Sequence, residues 1–220
     1  MRCITYRRSG IGILLTVIAL AGCQQSDPKL LAGANYQSRN PSEETTLEIA
    51  IFAGGCFWCT EADFDKVPGV VATISGYIGG KIANPTYEQV SKGKTGHIEA
   101  VQIYFDPAKT NYASLLAAYW PTIDPLTPDA QFCDHGSQYR SAIFYRDSHQ
   151  QQLAEASKSE LVASSRFNQP IVTEILPATA FYPAEEYHQD YYLKNPVRYS
   201  YYRSRCGRDA RLTQLWGNKR

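Results

Sequence analysis

The chain has 220 residues, a formal net charge of +1 and 44% hydrophobic residues. That length and composition suit one domain with a sizeable core, once a short leader is set aside. Near-neutral charge, with no Lys/Arg block after the leader, excludes a nucleic-acid-binding surface.

The leader comes first. Arg2, Arg7 and Arg8 precede the apolar run "IGILLTVIAL", and "AGC" follows. This is the three-part layout of an export signal, too short to span a bilayer comfortably. Leu20-Ala21-Gly22-Cys23 is similar to a bacterial lipobox, which implies cleavage after residue 22 and a lipid on Cys23. Residues 23–45 are polar with scattered Pro, Gly, Ser and Asn, and read as a tether to a domain over 46–220. The expected location is the cell envelope, lipid-anchored to a bacterial membrane. Gln24 favours the outer membrane where the envelope has one.

From Leu47 the pattern becomes structural. "LEIAIFA" predicts a strand ending at Gly54-Gly55, and "CTEADFDKV" a helix stopped by Pro68-Gly69. "VVATISGYI" reads as a strand, and residues 79–96 as a long loop with a short helical turn. "HIEAVQIYFD" alternates apolar and polar residues and is the clearest strand. Asn111 caps a helix closed by Pro121. "SAIFYR" is a strand, Asp147 caps the longest helix, and "IVTEILP" is a last strand. The rest, rich in Tyr and Arg, predicts a long irregular tail. Strands and helices alternate unevenly, without a phosphate-loop glycine pattern. The expected class is α+β, a mixed sheet with helices packed on it around a ferredoxin-like-type core.

Four cysteines follow Cys23: Cys56, Cys59, Cys133 and Cys206. In an exported protein they suit two structural disulfides, although a domain of this length does not need staples. A zinc site from Cys56, Cys59, Cys133 and His135 lacks a second clamp of suitable spacing, so no metal is expected. The remaining reading is a reactive thiol. Cys56 follows two glycines where a strand turns into a helix, and a helix N-terminus stabilises a thiolate. Phe57 and Trp58 directly behind it suit a small apolar pocket. Further polar residues sit in unusual places: Tyr87 in a loop, His97 and Glu99 at the start of the strongest strand, and Asp134, His135, Gln138, Tyr139 and Arg140 just before another.

"GGCFWC", "NPTYEQVSKGKTGHIEAV", "DHGSQYRSAIFY" and "FYPAEEYHQDYY", in their places along the chain, resemble the A-type peptide methionine sulfoxide reductases. The resemblance implies that Cys56 attacks the sulfoxide sulfur and keeps the oxygen as a sulfenic acid, releasing methionine of the S epimer. It implies Glu99 as the acid, Tyr87 and Tyr139 as donors to the sulfoxide oxygen, and Asp134 as an orienting group. Phe57 and Trp58 would hold the methyl group, and His188 receives no chemical step. No cofactor is expected to be bound. Many members have Gly at the position of Cys59 and resolve with a cysteine on a C-terminal tail, so the resolving candidates here are Cys59, favoured first by local geometry, and Cys206, favoured as a second relay, with Cys133 near the pocket. A thioredoxin or thioredoxin-like protein would then supply electrons, and oxidised proteins or peptides carrying methionine sulfoxide would be the substrates. The competing reading is a thiol–disulfide oxidoreductase using Cys56 and Cys59 as its own pair, with Glu99 and Tyr139 irrelevant.

Overall fold

The computed structural model describes residues 46–217. Cys23, the leader over 1–22 and the tether over 23–45 lie outside the described residues. Among the described residues no helix is long and apolar enough to cross a membrane.

The main sheet has six strands: β1 (Glu48–Gly54), β2 (Val70–Ile78), β3 (Ile98–Phe105), β6 (Ser141–Tyr145), β7 (Glu174–Pro177) and β8 (Tyr182–Pro183). Their order across the sheet is β7-β6-β1-β3-β2-β8, and every pairing is antiparallel except β6 with β7. Helix α1 (Phe57–Phe64) carries the chain from β1 to β2, and β3 fills the space between those two strands. Helix α3 (Tyr112–Tyr119) lies on the way from β3 to β6. This is the split β-α-β arrangement of the expected ferredoxin-like core.

Strand alternation sorts the side chains into two layers. Ala50, Phe52, Val101, Ile103 and Phe105 meet α1, α3 and α4 (Ser148–Ala163) in one core; Ile51, Ala53, Ile98, Ala100 and Phe144 form a second on the opposite face. Phe52, fully buried, stacks against Phe64 at 5.3 Å and Tyr119 at 4.9 Å. Truncating such a ring to alanine costs about 3–5 kcal/mol. Asn111 and Asp147 cap their helices as expected, accepting from the backbone N–H of Ser114 and Gln150.

The tail departs from expectation. It is helical: α5 (Tyr191–Lys194), α6 (Pro196–Arg205) and α7 (Arg208–Trp216). Its tyrosines had no regular apolar period of their own because they pack on other aromatics. Tyr191 and Tyr199 join Cys59 and Ala62 of α1 in a buried cluster with Trp58 and Tyr202. A short helix α2 (Tyr87–Ser91), capped reciprocally by Thr86 and Gln89, interrupts the long loop, and a small hairpin pairs β4 (Ala130–Gln131) with β5 (Asp134–His135).

Candidate active site

Two glycines let β1 turn into α1. Gly55 has φ of +83°, and a Cβ there would lie 2.5 Å from Gln131; one on Gly54 would lie 2.8 Å from the Thr60 hydroxyl. Both positions exclude a side chain. The turn delivers Cys56 to the N-cap of α1, 6% exposed, with Cys59 one turn on and 1% exposed.

Glu99 lies opposite Tyr77 across β2–β3, on the face covered by α1, and is 2% exposed. Its Oε2 accepts from the backbone N–H of Phe57 at 3.1 Å. Burial pushes the carboxyl up to about 8, so it is neutral at ordinary pH. Tyr87 opens α2 and is pushed up to about 12, chiefly by burial and then by Glu99 and Cys56; its hydroxyl is hydrogen-bonded to Tyr139. Tyr139 also feels Glu99 and Cys56 and is displaced upward for the same reasons. Asp134 sits in β5, raised by burial and accepting a hydrogen bond from Tyr202. A buried thiol thus faces a neutral carboxylic acid and two phenols.

The pocket wall is aromatic. Trp58 stacks on Tyr191 with centroids 3.7 Å apart and planes 6° apart, and meets Tyr202 edge-on. Its indole N–H donates to His188 Nδ1 at 3.0 Å. Phe57 packs against Tyr77 and His188. Burial holds His188 down at about 4, so it is a neutral acceptor that fixes the indole. Glu185 fixes Tyr87 from below, accepting from its backbone N–H at 2.8 Å and from Tyr77 Oη at 2.9 Å.

The two free thiols are hydrogen-bonded to one another. Burial pushes Cys56 up, with Cys59 adding to it. Cys59 is pulled down to about 7 by the hydrogen bond from Cys56, against its own burial and helped by Arg208 and Arg203. The rise of Cys56 runs against the expected thiolate stabilisation at the helix start: burial outweighs it, the amide of Phe57 is spent on Glu99 and the thiol makes no cap hydrogen bond.

Cys133 and Cys206 form a disulfide across 73 residues of sequence. The Cys133 and Cys206 sulfurs and an Asp134 oxygen lie within 4.8 Å of one another, but the two sulfurs are bonded to each other and make no ligand set. Beside them Arg208, 1% exposed, donates to the carbonyls of Gly54 at 3.1 Å and Thr122 at 2.8 Å, and lies over the ring of Phe132 at 4.5 Å.

The sequence-predicted residues therefore gather: Cys56, Cys59, Phe57, Trp58, Glu99, Tyr87, Tyr139 and Asp134 form one site, with Cys206 beside it. Three candidates do structural work elsewhere. His97 accepts from Gly80 N–H and binds the Ile82 carbonyl, clasping the long loop. Gln138 donates to Ser91, and Arg140 pairs with Glu174. Tyr202, Arg203 and Arg208 were missed. The dense Tyr/Arg composition of the tail was the available signal.

A cysteine facing a protonated carboxyl and two phenols is equipped to attack a small group whose oxygen those acids can protonate. The family model described as peptide methionine sulfoxide reductase matches residues 48–220. Peptide methionine sulfoxide reductase MsrA from Halalkalibacterium halodurans is 53% identical over 174 residues, covering 79% of this chain and 99% of that protein. Among solved structures, Mxr1 from Saccharomyces cerevisiae in reduced form aligns with a TM-score of 0.65 at 30% identity, over 70% of this chain and 88% of that one. Methionine sulfoxide reductase A of Corynebacterium diphtheriae aligns at 0.63 with 34% identity, over 71% and 78%. The chain belongs to the peptide methionine sulfoxide reductase family, and it is a methionine sulfoxide reductase.

Proposed function

We propose that the enzyme reduces the S epimer of methionine sulfoxide in oxidised proteins and peptides, with Cys56 as nucleophile. The observation that carries this is the opposition of a buried thiol to a carboxyl held neutral at about 8. Sulfoxide oxygen leaves sulfur only once protonated, so the acid must be loaded when the thiolate attacks. Glu99 gives the proton, Tyr87 and Tyr139 donate to the oxygen, and Asp134 orients the substrate side. The methyl group lies against Phe57 and Trp58.

The thiolate and one proton convert the sulfoxide to methionine and leave Cys56 as a sulfenic acid. Cys59, one turn along the helix, attacks that sulfur; a Cys56–Cys59 disulfide forms and the oxygen leaves as water. A thioredoxin-like dithiol supplies the two electrons that restore the thiols. No bound cofactor is required for any of these steps. The apolar leader and Leu20-Ala21-Gly22-Cys23 support the further reading of a lipid anchor at Cys23 and a location at the envelope membrane.

The test is reduction of a methionine sulfoxide peptide by a dithiol, with both epimers separated. Wild type consumes the S epimer only, and Cys56→Ser consumes neither. Turnover by Cys56→Ser, or consumption of the R epimer, would sink the proposal. Cys23→Ala should release the protein from the membrane fraction.

A further inference from the structure

A cleft of about 410 Å³ opens where β6 begins, and no step proposed above uses it. Its wall includes Asp129, Ser137, Arg140, Ser141, Val172 and Glu174. We infer that this cleft is a substrate subsite, which receives a basic side chain of the oxidised polypeptide a few residues away from the methionine sulfoxide. The inference rests on the reductase reading above and adds the sequence context that the enzyme prefers.

Position gives the first reason. Ser141 of the cleft wall pairs with Gly54 across β6 and β1, and Cys56 follows Gly54 by two residues. Paired strands lie about 5 Å apart and a residue spans at most about 3.6 Å, so the wall begins within roughly 12 Å of the nucleophile. Ser141 shares its side of the sheet with Ile143, which packs in the same core as Phe57 of α1. The cleft and the thiol therefore lie on one face of the sheet. Tyr139 stands between Ser137 and Arg140 of the cleft in sequence. A substrate whose oxygen is held by Tyr139 reaches the cleft with about three to four residues of extended chain.

Charge gives the second. The lining carries two carboxylates and one guanidinium. Arg140 is already committed: its Nε donates to Glu174 at 2.7 Å and its Nη1 to the Ser137 carbonyl at 2.8 Å. Asp129 is exposed, and its carboxylate has no partner among the described residues. Lys158 of α4 feels Glu174, but its ammonium donates to the Thr173 carbonyl at 2.6 Å and it is not part of the lining. One negative charge is left over in a concave setting, which concentrates the field on an incoming cation.

Shape gives the third. The volume suits a side chain rather than a water molecule. A lysine or arginine can lay its methylene stem along Val172 and bring its charged end to Asp129. A glutamate in the same place would meet the unpaired carboxylate.

The experiment uses the full chain, a dithiol reductant and peptides carrying methionine-(S)-sulfoxide with Lys, Gln or Glu four residues away. One series places the variable residue before the sulfoxide and the other after it. In one of the two series KM should be about fivefold lower for the Lys peptide than for the Glu peptide, with Gln between and kcat alike for all three. The difference should shrink at about 0.5 M salt. Asp129 has φ of +49°, a conformation that asparagine also adopts, so Asp129→Asn removes the charge without straining the turn. That variant should lose the preference. Asp129→Asn with Glu174→Gln leaves the guanidinium alone in the lining, and the preference should invert in favour of the Glu peptide. KM values within about 1.5-fold of each other for the Lys and Glu peptides in both series would overturn the inference. A preference that survives both variants would place the recognition elsewhere and overturn it equally. No methionine from any peptide removes the reductase reading and the subsite with it.

Discussion

The reacting groups and the cover over them are held in different ways. Cys56, Glu99, Tyr87 and Tyr139 sit at the ends or starts of elements whose positions are set by the backbone: the β1–α1 turn, the first residues of β3, the capped start of α2 and the turn before β6. The cover, α5 to α7, is attached by side chains. Trp58 stacks on Tyr191, Arg203 bridges Asp63 and Asp209, Tyr202 reaches Asp134, and Arg208 plugs the Gly54 turn. Backbone placement gives the sub-ångström constancy that proton transfer needs. Side-chain attachment gives an enclosure that excludes water and keeps Glu99 neutral. Changes in the first region should therefore act on rate, and changes in the second on affinity and stability.

The largest test of that division is Glu99. Glu99→Ala should slow the reductase step by about 100- to 1,000-fold with little change in KM. Glu99→Gln should slow it less, since an amide still donates; equal losses for both would deny the acid role. The acid is loaded below about 8, so wild-type activity falls as pH rises through that value, and the Gln variant should lose that limb.

Next comes Arg208→Met, which removes two hydrogen bonds from a buried cation and the contact with Phe132. It should destabilise the fold by about 3 kcal/mol, read by denaturant unfolding under non-reducing conditions. A loss under about 0.5 kcal/mol would mean the tail is held by the disulfide alone.

Glu61 sharpens the stability side. Buried in α1, it is pushed up from 4.5 to about 8 by desolvation. The folded state favours the neutral carboxyl, so this contribution is fully present below about 4.5 and lost as pH rises through about 8. Glu61→Gln should flatten the stability profile across that window and be more stable than wild type at its upper end, read by denaturant unfolding at several pH values. The smallest effect belongs to Trp58→Phe, which loses the bond to His188 and part of the stack on Tyr191. KM should rise about fivefold with kcat nearly kept. A fall in kcat alone would place Trp58 among the rate-setting groups.

The same division explains what could be read from the sequence. The central strands were legible because alternation in "HIEAVQIYFD" and the glycine stop after "LEIAIFA" are local signals, and Asn111 and Asp147 marked their helices. The site was legible because Cys56, Glu99, Tyr87, Tyr139 and Asp134 lie in short motifs fixed to those elements. The tail was not. Its helices owe their place to contacts such as Arg203 with Asp63, 140 residues apart in sequence, which no local period reports. The loss of the helix-start amide to Cys56 was likewise hidden, because the amide spent on Glu99 comes from Phe57 while its acceptor lies 42 residues away.

The Arg208 plug also bears on how the protein comes to be folded. Its partner Gly54 lies 154 residues earlier, and the Trp58–His188 bond spans 130. Closing loops of that length is entropically slow, and high contact order retards folding. During synthesis the β1–α1 turn must wait, thiols uncovered, until nearly the whole chain has emerged. Cys56 and Cys59 are therefore most open to stray oxidation before the tail helices dock over them.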